Sequence, residues 1–191
     1  MLETFETTLL LMALGYLSGT WLGALTVCRL AGLGDPRLSG SCNPGFSNVL
    51  RLYGAEPALA TLLVDVIKGM PVLWLASWLA LPPWAQGGVG FAVLLGHSYP
   101  VWHAWRGGRA VASAFGVLLM LTPPVAICCA LVWSLLALNG RTSALASLTS
   151  AALAPLLTLW LVPAYSEMVI IFTLLVFTRH ALYLRRWPGA R

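Results

Sequence analysis

Charge is what this chain has least of: 9% of its 191 residues are Asp, Glu, Lys or Arg, against about 25% in a typical soluble domain. Too few charges remain to face water on all sides, so lipid is the expected solvent for most of the surface. The expectation is one integral membrane domain over 1–191. With 59% hydrophobic residues the chain cannot be intrinsically disordered. Cysteine is also scarce: Cys28, Cys42, Cys128 and Cys129 form no CxxC pair and have no His at metal spacing. That pattern argues against a disulfide scaffold and a structural metal site, leaving free thiols. The N-terminal residues lack a basic region and carry Glu3 and Glu6 instead, so a cleaved signal peptide is not expected. GxSxG, HxxxxD and GxxxxGK[ST] are all missing, which weakens hydrolase, His/Asp acyltransferase and nucleotide-binding readings. Arg and aromatic residues do mix at 102–106, but nucleic-acid binding needs a basic surface in water, and an interfacial aromatic belt is the simpler reading.

What is present is a series of apolar runs at membrane length. Crossing the hydrocarbon takes roughly 17 to 25 apolar residues. Candidate spans cover 7–30, 57–81, 89–102, 111–121, 124–138, 144–162 and 168–177, the last extending to 183. The uncharged stretch 110–140 would measure about 45 Å as one helix. Thr122-Pro123-Pro124 sits in its middle and disfavours helix there, so two short spans with a tight turn are expected. The count is then seven. With the N-terminus outside, Arg37, Arg51, Arg106, Arg109, Arg141, Arg179, Arg185, Arg186 and Arg191 all fall inside, with Arg29 at the border. The outer segments hold Glu3, Glu6 and Glu167 and no basic residue, which favours this count and orientation by the positive-inside rule. The expected fold class is therefore an all-α polytopic membrane protein with a cytoplasmic C-terminus.

Polar residues gather in the inside loops. In 38–51, Gly40 and Gly45 allow positive φ angles that aim backbone N–H groups at one point, a geometry that holds anions. Ser41, Asn43, Ser47 and Asn48 add donors, and Arg51 adds a fork suited to phosphate. The loop reads as a phosphate cradle, or as a flexible turn before a helix capped by Ser47 or Asn48. In 96–113, Gly107 and Gly108 stand between Arg106 and Arg109 just before a helix start, favourable for an anion. Equally, the two Arg are juxtamembrane anchors and the Gly pair a turn. His97 lies in an apolar run, where an ionisable group is costly. Asp65 and Lys68, three residues apart in the second span, are expected to form an ion pair on one helix face. Donors and cations with few inside carboxylates suit multiply anionic substrates handled by orientation and electrostatics.

These motifs resemble the bacterial acyl-phosphate:glycerol-3-phosphate acyltransferases, the PlsY family. The family's GSGNxGATNVLR is matched by Gly40-Ser-Cys-Asn-Pro-Gly-Phe-Ser-Asn-Val-Leu-Arg51. Its GHxFPVFxxFKGGKGVAT is matched by Gly96-His-Ser-Tyr-Pro-Val-Trp-His-Ala-Trp-Arg-Gly-Gly-Arg-Ala-Val-Ala-Ser113, and its DxxKG by Asp65-Val-Ile-Lys-Gly69. Thr142-Ser143 corresponds to a Ser-Ser loop and Arg179-His180 to the start of RHxxNIxRLxxG. Cys42 and Ala110 stand where the motifs have Gly, Phe46 where they have Ala, Arg109 where they have Lys, and Tyr183 where they have Asn. The resemblance implies transfer of a fatty acyl group from acyl phosphate to the 1-hydroxyl of glycerol 3-phosphate, giving lysophosphatidate and phosphate. A substrate phosphate would help remove the hydroxyl proton. It implies catalytic positions at Ser41, Arg109, Ser143 and His180. Phosphate or substrate binding would fall to Gly40, Asn43, Gly45, Ser47, Asn48, Arg51, His97, Gly107 and Gly108. It implies no cofactor and no metal. Acyl phosphate, glycerol 3-phosphate and membrane lipid are the expected partners, a bacterial inner membrane the location and a monomer the working unit. A divergent paralogue that binds phosphorylated ligands or lipid without turnover is the alternative expectation.

Overall fold

A computed structural model describes residues 2–186, and among them every regular element is helical. The helices are α1 (Leu2–Gly19), α2 (Gly23–Leu30), α3 (Phe46–Tyr53), α4 (Ala55–Ile67) and α5 (Met70–Trp78). After them come α6 (Pro83–Ser98), α7 (Val111–Leu121), α8 (Pro123–Leu138), α9 (Ser143–Leu161) and α10 (Ser166–Arg186). The segments Leu2–Leu30, Ala55–Trp78, Ser143–Leu161 and Pro163–Tyr183 are long and apolar enough to cross a membrane, and α7 and α8 are shorter apolar helices. Arg191 lies outside the described residues.

Boundaries follow local chemistry. Pro83 and Pro123 start α6 and α8 at the first helical position, where a missing N–H costs nothing. Thr122 precedes Pro123 and closes α7, so the uncharged stretch does fold as two short helices. The third apolar run begins earlier than expected, at Pro83, and ends at Ser98. Pro100 cannot extend it, and 101–103 form a single 3-10 turn. The first two runs are each interrupted, at 20–22 and at Lys68-Gly69, and both breaks meet at one buried polar cluster described below. The loop 31–55 contains α3, the helix that one of the two readings of 38–51 placed after a turn.

α6 is the axis of the bundle and packs against α1, α5, α7 and α10. It is rich in Gly and Ala, and its contact with α1 is a backbone approach. A Cβ on Gly19 would strike the Val93 carbonyl, and one on Gly96 the Tyr16 carbonyl. Small residues at such crossings let helices associate where apolar side chains gain nothing over lipid. The main core gathers Leu73, Val89, Val93, Leu94, Val117 and Val125, all buried. Outward, Leu59, Leu63, Trp74, Leu131, Leu156 and Trp160 are exposed and form the apolar surface that lipid would cover. A second, smaller core of Ala24, Cys28, Val49 and Ala58 lies where α2, α3 and α4 meet and seats α3 beside the loop that precedes it.

Helix α9 continues through Pro155, which lacks the N–H that would bond the Ala151 carbonyl. The Thr173 hydroxyl of α10 donates to that carbonyl at 2.9 Å. The partner lost to proline is thus supplied by the neighbouring helix.

Candidate active site

Asn48 organises the first loop. It is buried on α3; its Oδ1 accepts from the Ser41 amide at 2.9 Å, and its Nδ2 donates to the Pro36 and Ser39 carbonyls at 2.9 and 3.1 Å. It therefore caps no helix; Gly45 is the N-cap residue of α3. Gly40 adopts the expected positive φ of 62°, and a Cβ there would collide with Asn48 Oδ1. Gly45 differs from expectation: its φ is −147°, extended backbone that any residue adopts, and its Cβ position faces Asn43 Nδ2. The second left-handed residue of 38–51, beside Gly40, is instead Cys42, at φ 55°. Asn43 Oδ1 is buried without a hydrogen-bond partner.

Ser47 and Arg51 project from α3 into a cleft of about 350 Å³, closed on the other side by Arg141, Thr142 and Ser143 at the start of α9. Thr142 caps α9, its hydroxyl accepting from the Leu145 amide at 3.3 Å. Phe46, Leu50, Trp133 and Ala137 supply an apolar wall, where the Phe46 and Trp133 rings meet edge to face at 6.3 Å. The cleft thus joins cations and hydroxyls to an apolar surface. Arg141, Trp133 and Phe46 were not singled out as site residues by sequence: Arg141 reads as one more inside charge and Trp133 as one more apolar residue.

The second motif forms a strap over the end of α6. Neither Gly107 nor Gly108 has positive φ; each is needed for contact, because a Cβ on Gly107 would strike the His97 carbonyl and one on Gly108 would strike His97 Nε2. The Gly108 amide donates to the His97 carbonyl at 2.9 Å. From α10, buried Arg179 donates through Nε to the Gly108 carbonyl at 2.9 Å and through Nη2 to the Gly107 carbonyl at 2.8 Å. The Tyr183 hydroxyl also donates to Gly107, at 2.6 Å. Arg179 lies 4.5 Å above the Tyr99 ring centre, and Arg109 lies 5.0 Å from that of Tyr183. Such stacking suits a desolvated guanidinium. Ala110, next in the chain, has φ 62° and begins α7.

Arg109 connects the two motifs. Its Nε is buried without a hydrogen-bond partner. Burial pushes its guanidinium below the ordinary range; Arg51 and Arg179 press the same way, while the Tyr183 phenol opposes. Arg51 therefore belongs both to the cleft and to the neighbourhood of Arg109. Buried His180, whose Nδ1 lies 2.8 Å from the Val176 carbonyl, is within electrostatic reach of Arg109. Ser47, Arg51 and Ser143 thus share the cleft, Arg109 is within electrostatic reach of Arg51 and of His180, Ser41 and Asn43 lie on the loop before α3, and His97 sits behind the strap. In that loop, Asp35 is engaged by Arg37 at 2.7 Å, whose hydrogen bond holds its carboxyl below the usual carboxylate range. Such a carboxylate is a poor proton acceptor.

A site of this kind, cationic at one end and apolar at the other, can be compared with known proteins. The family described as glycerol-3-phosphate acyltransferase matches residues 9–187. The chain belongs to the glycerol-3-phosphate acyltransferase family. Among its relatives, the glycerol-3-phosphate acyltransferase of Chromohalobacter salexigens is 60% identical over 176 residues, covering 92% of this chain and 86% of that protein. That of Idiomarina loihiensis is 41% identical over 173 residues, covering 91% and 88%. Two crystal structures of PlsY, an integral membrane glycerol 3-phosphate acyltransferase, share the fold. The glycerol 3-phosphate form has a TM-score of 0.85 at 32% identity, and the lysophosphatidic acid form 0.83 at 31%; each covers 94% of this chain and 90% of the other. This protein is accordingly an all-helical integral membrane member of the acyltransferase family. Its departures from the family motifs have structural readings. Tyr183 in place of Asn holds the strap through Gly107, and Phe46 in place of Ala forms part of the cleft wall. Cys42 and Ala110 in place of Gly occupy left-handed backbone, which costs an L-residue about 1 to 2 kcal/mol.

Proposed function

We propose that the protein transfers a fatty acyl group from acyl phosphate to the 1-hydroxyl of glycerol 3-phosphate, giving lysophosphatidate and inorganic phosphate at the inner face of a bacterial cytoplasmic membrane. The observation that carries the reading is the cleft itself, where Arg51, Ser47 and Ser143 face an apolar wall, with Arg109 within electrostatic reach of Arg51. Two substrates must meet there, both bearing phosphate and one also bearing a long chain. Guanidinium forks suit phosphate oxygens, and Arg109 Nε is a buried donor with no partner inside the protein. Phe46, Leu50, Trp133 and Ala137 offer the start of a path for the chain.

In the reaction, the 1-hydroxyl oxygen attacks the acyl carbonyl carbon and the bond from that carbon to the phosphate oxygen breaks. Inorganic phosphate leaves, and the hydroxyl proton passes to a phosphate oxygen of a substrate. Arg51 and Arg109 hold the two phosphates close together and stabilise charge on the leaving group. Ser41, Ser47, Ser143 and His180 orient the substrates. This division of labour needs no protein carboxylate as base. Holding two reactants in register can itself contribute several kcal/mol to lowering the barrier, of the order of 7 to 11 in the best intramolecular cases.

The seven-span topology, with the N-terminus outside and the motifs facing the cytoplasm, belongs to the same proposal, with the monomer as the working unit. Purified protein supplied with acyl phosphate and labelled glycerol 3-phosphate is expected to form labelled lysophosphatidate with equimolar phosphate release. No product, in parallel with an active authentic enzyme, would overturn the reading.

A further inference from the structure

The breaks in the first two apolar runs converge on Lys68, a buried cation outside the cleft. Its Nζ lies 2.9 Å from Asp65 Oδ1, 2.8 Å from the Trp21 carbonyl and 2.6 Å from His97 Nδ1. Both members of the Lys68–Asp65 pair are essentially inaccessible, with side-chain exposures of 0% and 1%. The Gly23 amide at the start of α2 also donates to Asp65, at 3.2 Å. The Ser18 hydroxyl donates to the Lys68 carbonyl. One ammonium therefore ties the α1–α2 break, the end of α4 and the histidine near the end of α6.

An ammonium has three donors and no acceptor. The Asp65 carboxylate and the Trp21 carbonyl accept two, so the third requires His97 Nδ1 to be an unprotonated acceptor. Charge agrees: one carboxylate balances one ammonium, and a second cation on the ring would be left uncompensated in a buried site. The proton of the neutral ring is then on Nε2, the atom that faces Gly108. Gly108 lies in the strap between His97 and Arg179, and Arg109 follows it.

We propose that Lys68 is a positioning residue for acyl transfer: its ammonium fixes the tautomer and orientation of His97, and through that ring sets the Gly107-Gly108 strap that presents Arg109 to a substrate phosphate. The inference rests on the reading of Arg109 as a phosphate-holding residue in acyl transfer. Lys68 is a selective lever on one of the two substrate-holding cations, acting from the opposite side of the strap to Arg179 and Tyr183.

The test uses the full-length protein in lipid. With 15N-labelled histidine, nuclear magnetic resonance of the wild type is expected to show His97 unprotonated at Nδ1 and protonated at Nε2; a proton on Nδ1 overturns the proposal without any variant having to fold. For Lys68→Met, kcat/KM is expected to fall tenfold or more, with the KM rising for the same substrate that Arg109→Lys affects. The two changes should be strongly non-additive in a double-mutant cycle, as for residues acting through one contact chain. Fully additive losses, or a Lys68→Met protein with wild-type kinetics, overturn it. Ser18→Ala removes a bond to the backbone of Lys68 and leaves its ammonium in place, so near wild-type kinetics are expected; a loss equal to that of Lys68→Met assigns the effect to the helix break and overturns the proposal. A wild type inactive toward acyl phosphate and glycerol 3-phosphate would instead overturn the acyl-transfer reading itself, an outcome distinct from an active wild type with additive losses.

Discussion

Arg109 shows how much a single position draws on residues far from it in the chain. Its guanidinium is stacked on Tyr183, pressed by Arg51 and Arg179 and carries a buried donor without a protein partner. Arg109→Lys keeps the charge but loses the planar fork and its stacking. It is expected to retain measurable turnover with a KM raised for one phosphorylated substrate, checked by varying each substrate in turn. A second prediction concerns Ala110, whose φ of 62° is unfavourable for any residue with a Cβ. Ala110→Gly relieves that strain, offset in part by the greater freedom of glycine when unfolded. A net stabilisation of about 0.5 to 1 kcal/mol is expected, read as a higher thermal midpoint in detergent; an unchanged or lower midpoint would contradict the strain argument. The resemblance to the family marks Ala110 as a departure from glycine, and only the backbone angle says why glycine would suit it. For Gly107 and Gly108 the reverse holds. Two adjacent glycines read as a sharp turn, whereas the structure uses them to lay the chain flat against His97. Free torsions and missing side chains are the same feature in a sequence, and only a neighbour in space distinguishes their use.

At the scale of elements, helices with strong local signals were the ones legible in sequence. Thr122-Pro123-Pro124 announces the division between α7 and α8 because proline acts on its own backbone and on the residue before it. The Asp65–Lys68 pair was legible for the same reason, since three residues on one helix bring two side chains together. The breaks at 20–22 and Lys68-Gly69 were not, because their cause is a meeting of α1, α4 and α6. α3 was legible in part: a helix after the turn was one of two readings of 38–51, but its N-cap at Gly45 and its seat on the small core around Val49 depend on neighbours in space. Pro155 supplies a test at this scale. Thr173→Val removes the donor that α10 gives to the Ala151 carbonyl and is expected to destabilise the protein by about 1 to 2 kcal/mol. In a Pro155→Ala background the helix can supply its own N–H, so the cost of Thr173→Val should shrink; equal costs in both backgrounds would show that the hydroxyl does not replace the missing bond.

Across the whole molecule, the scarcity of charge and the placement of the chemistry are one fact. The few cations lie almost entirely in 29–51, 106–109, 141 and 179–191, and Lys68 is the exception, buried against Asp65. Membership of the acyltransferase family agrees with such a distribution, since a lipid-facing body leaves room for polar residues only where water and soluble substrate arrive. The proposed orientation has its own check. Cys42 lies in the loop that carries Ser41 and Asn43, so an impermeant maleimide is expected to label it from the cytoplasmic side of vesicles and not from the other; labelling from the outside would invert the topology. The central claim is that Arg51, shared by the cleft and the neighbourhood of Arg109, holds a substrate phosphate during acyl transfer. Its most direct test is the initial rate of lysophosphatidate formation by wild type and Arg51→Ala side by side in the same lipid. Turnover by the wild type and a loss of about a hundredfold or more in the variant, corresponding to roughly 2.7 kcal/mol or more of transition-state stabilisation, is the predicted result. Comparable rates in a folded Arg51→Ala protein would contradict it.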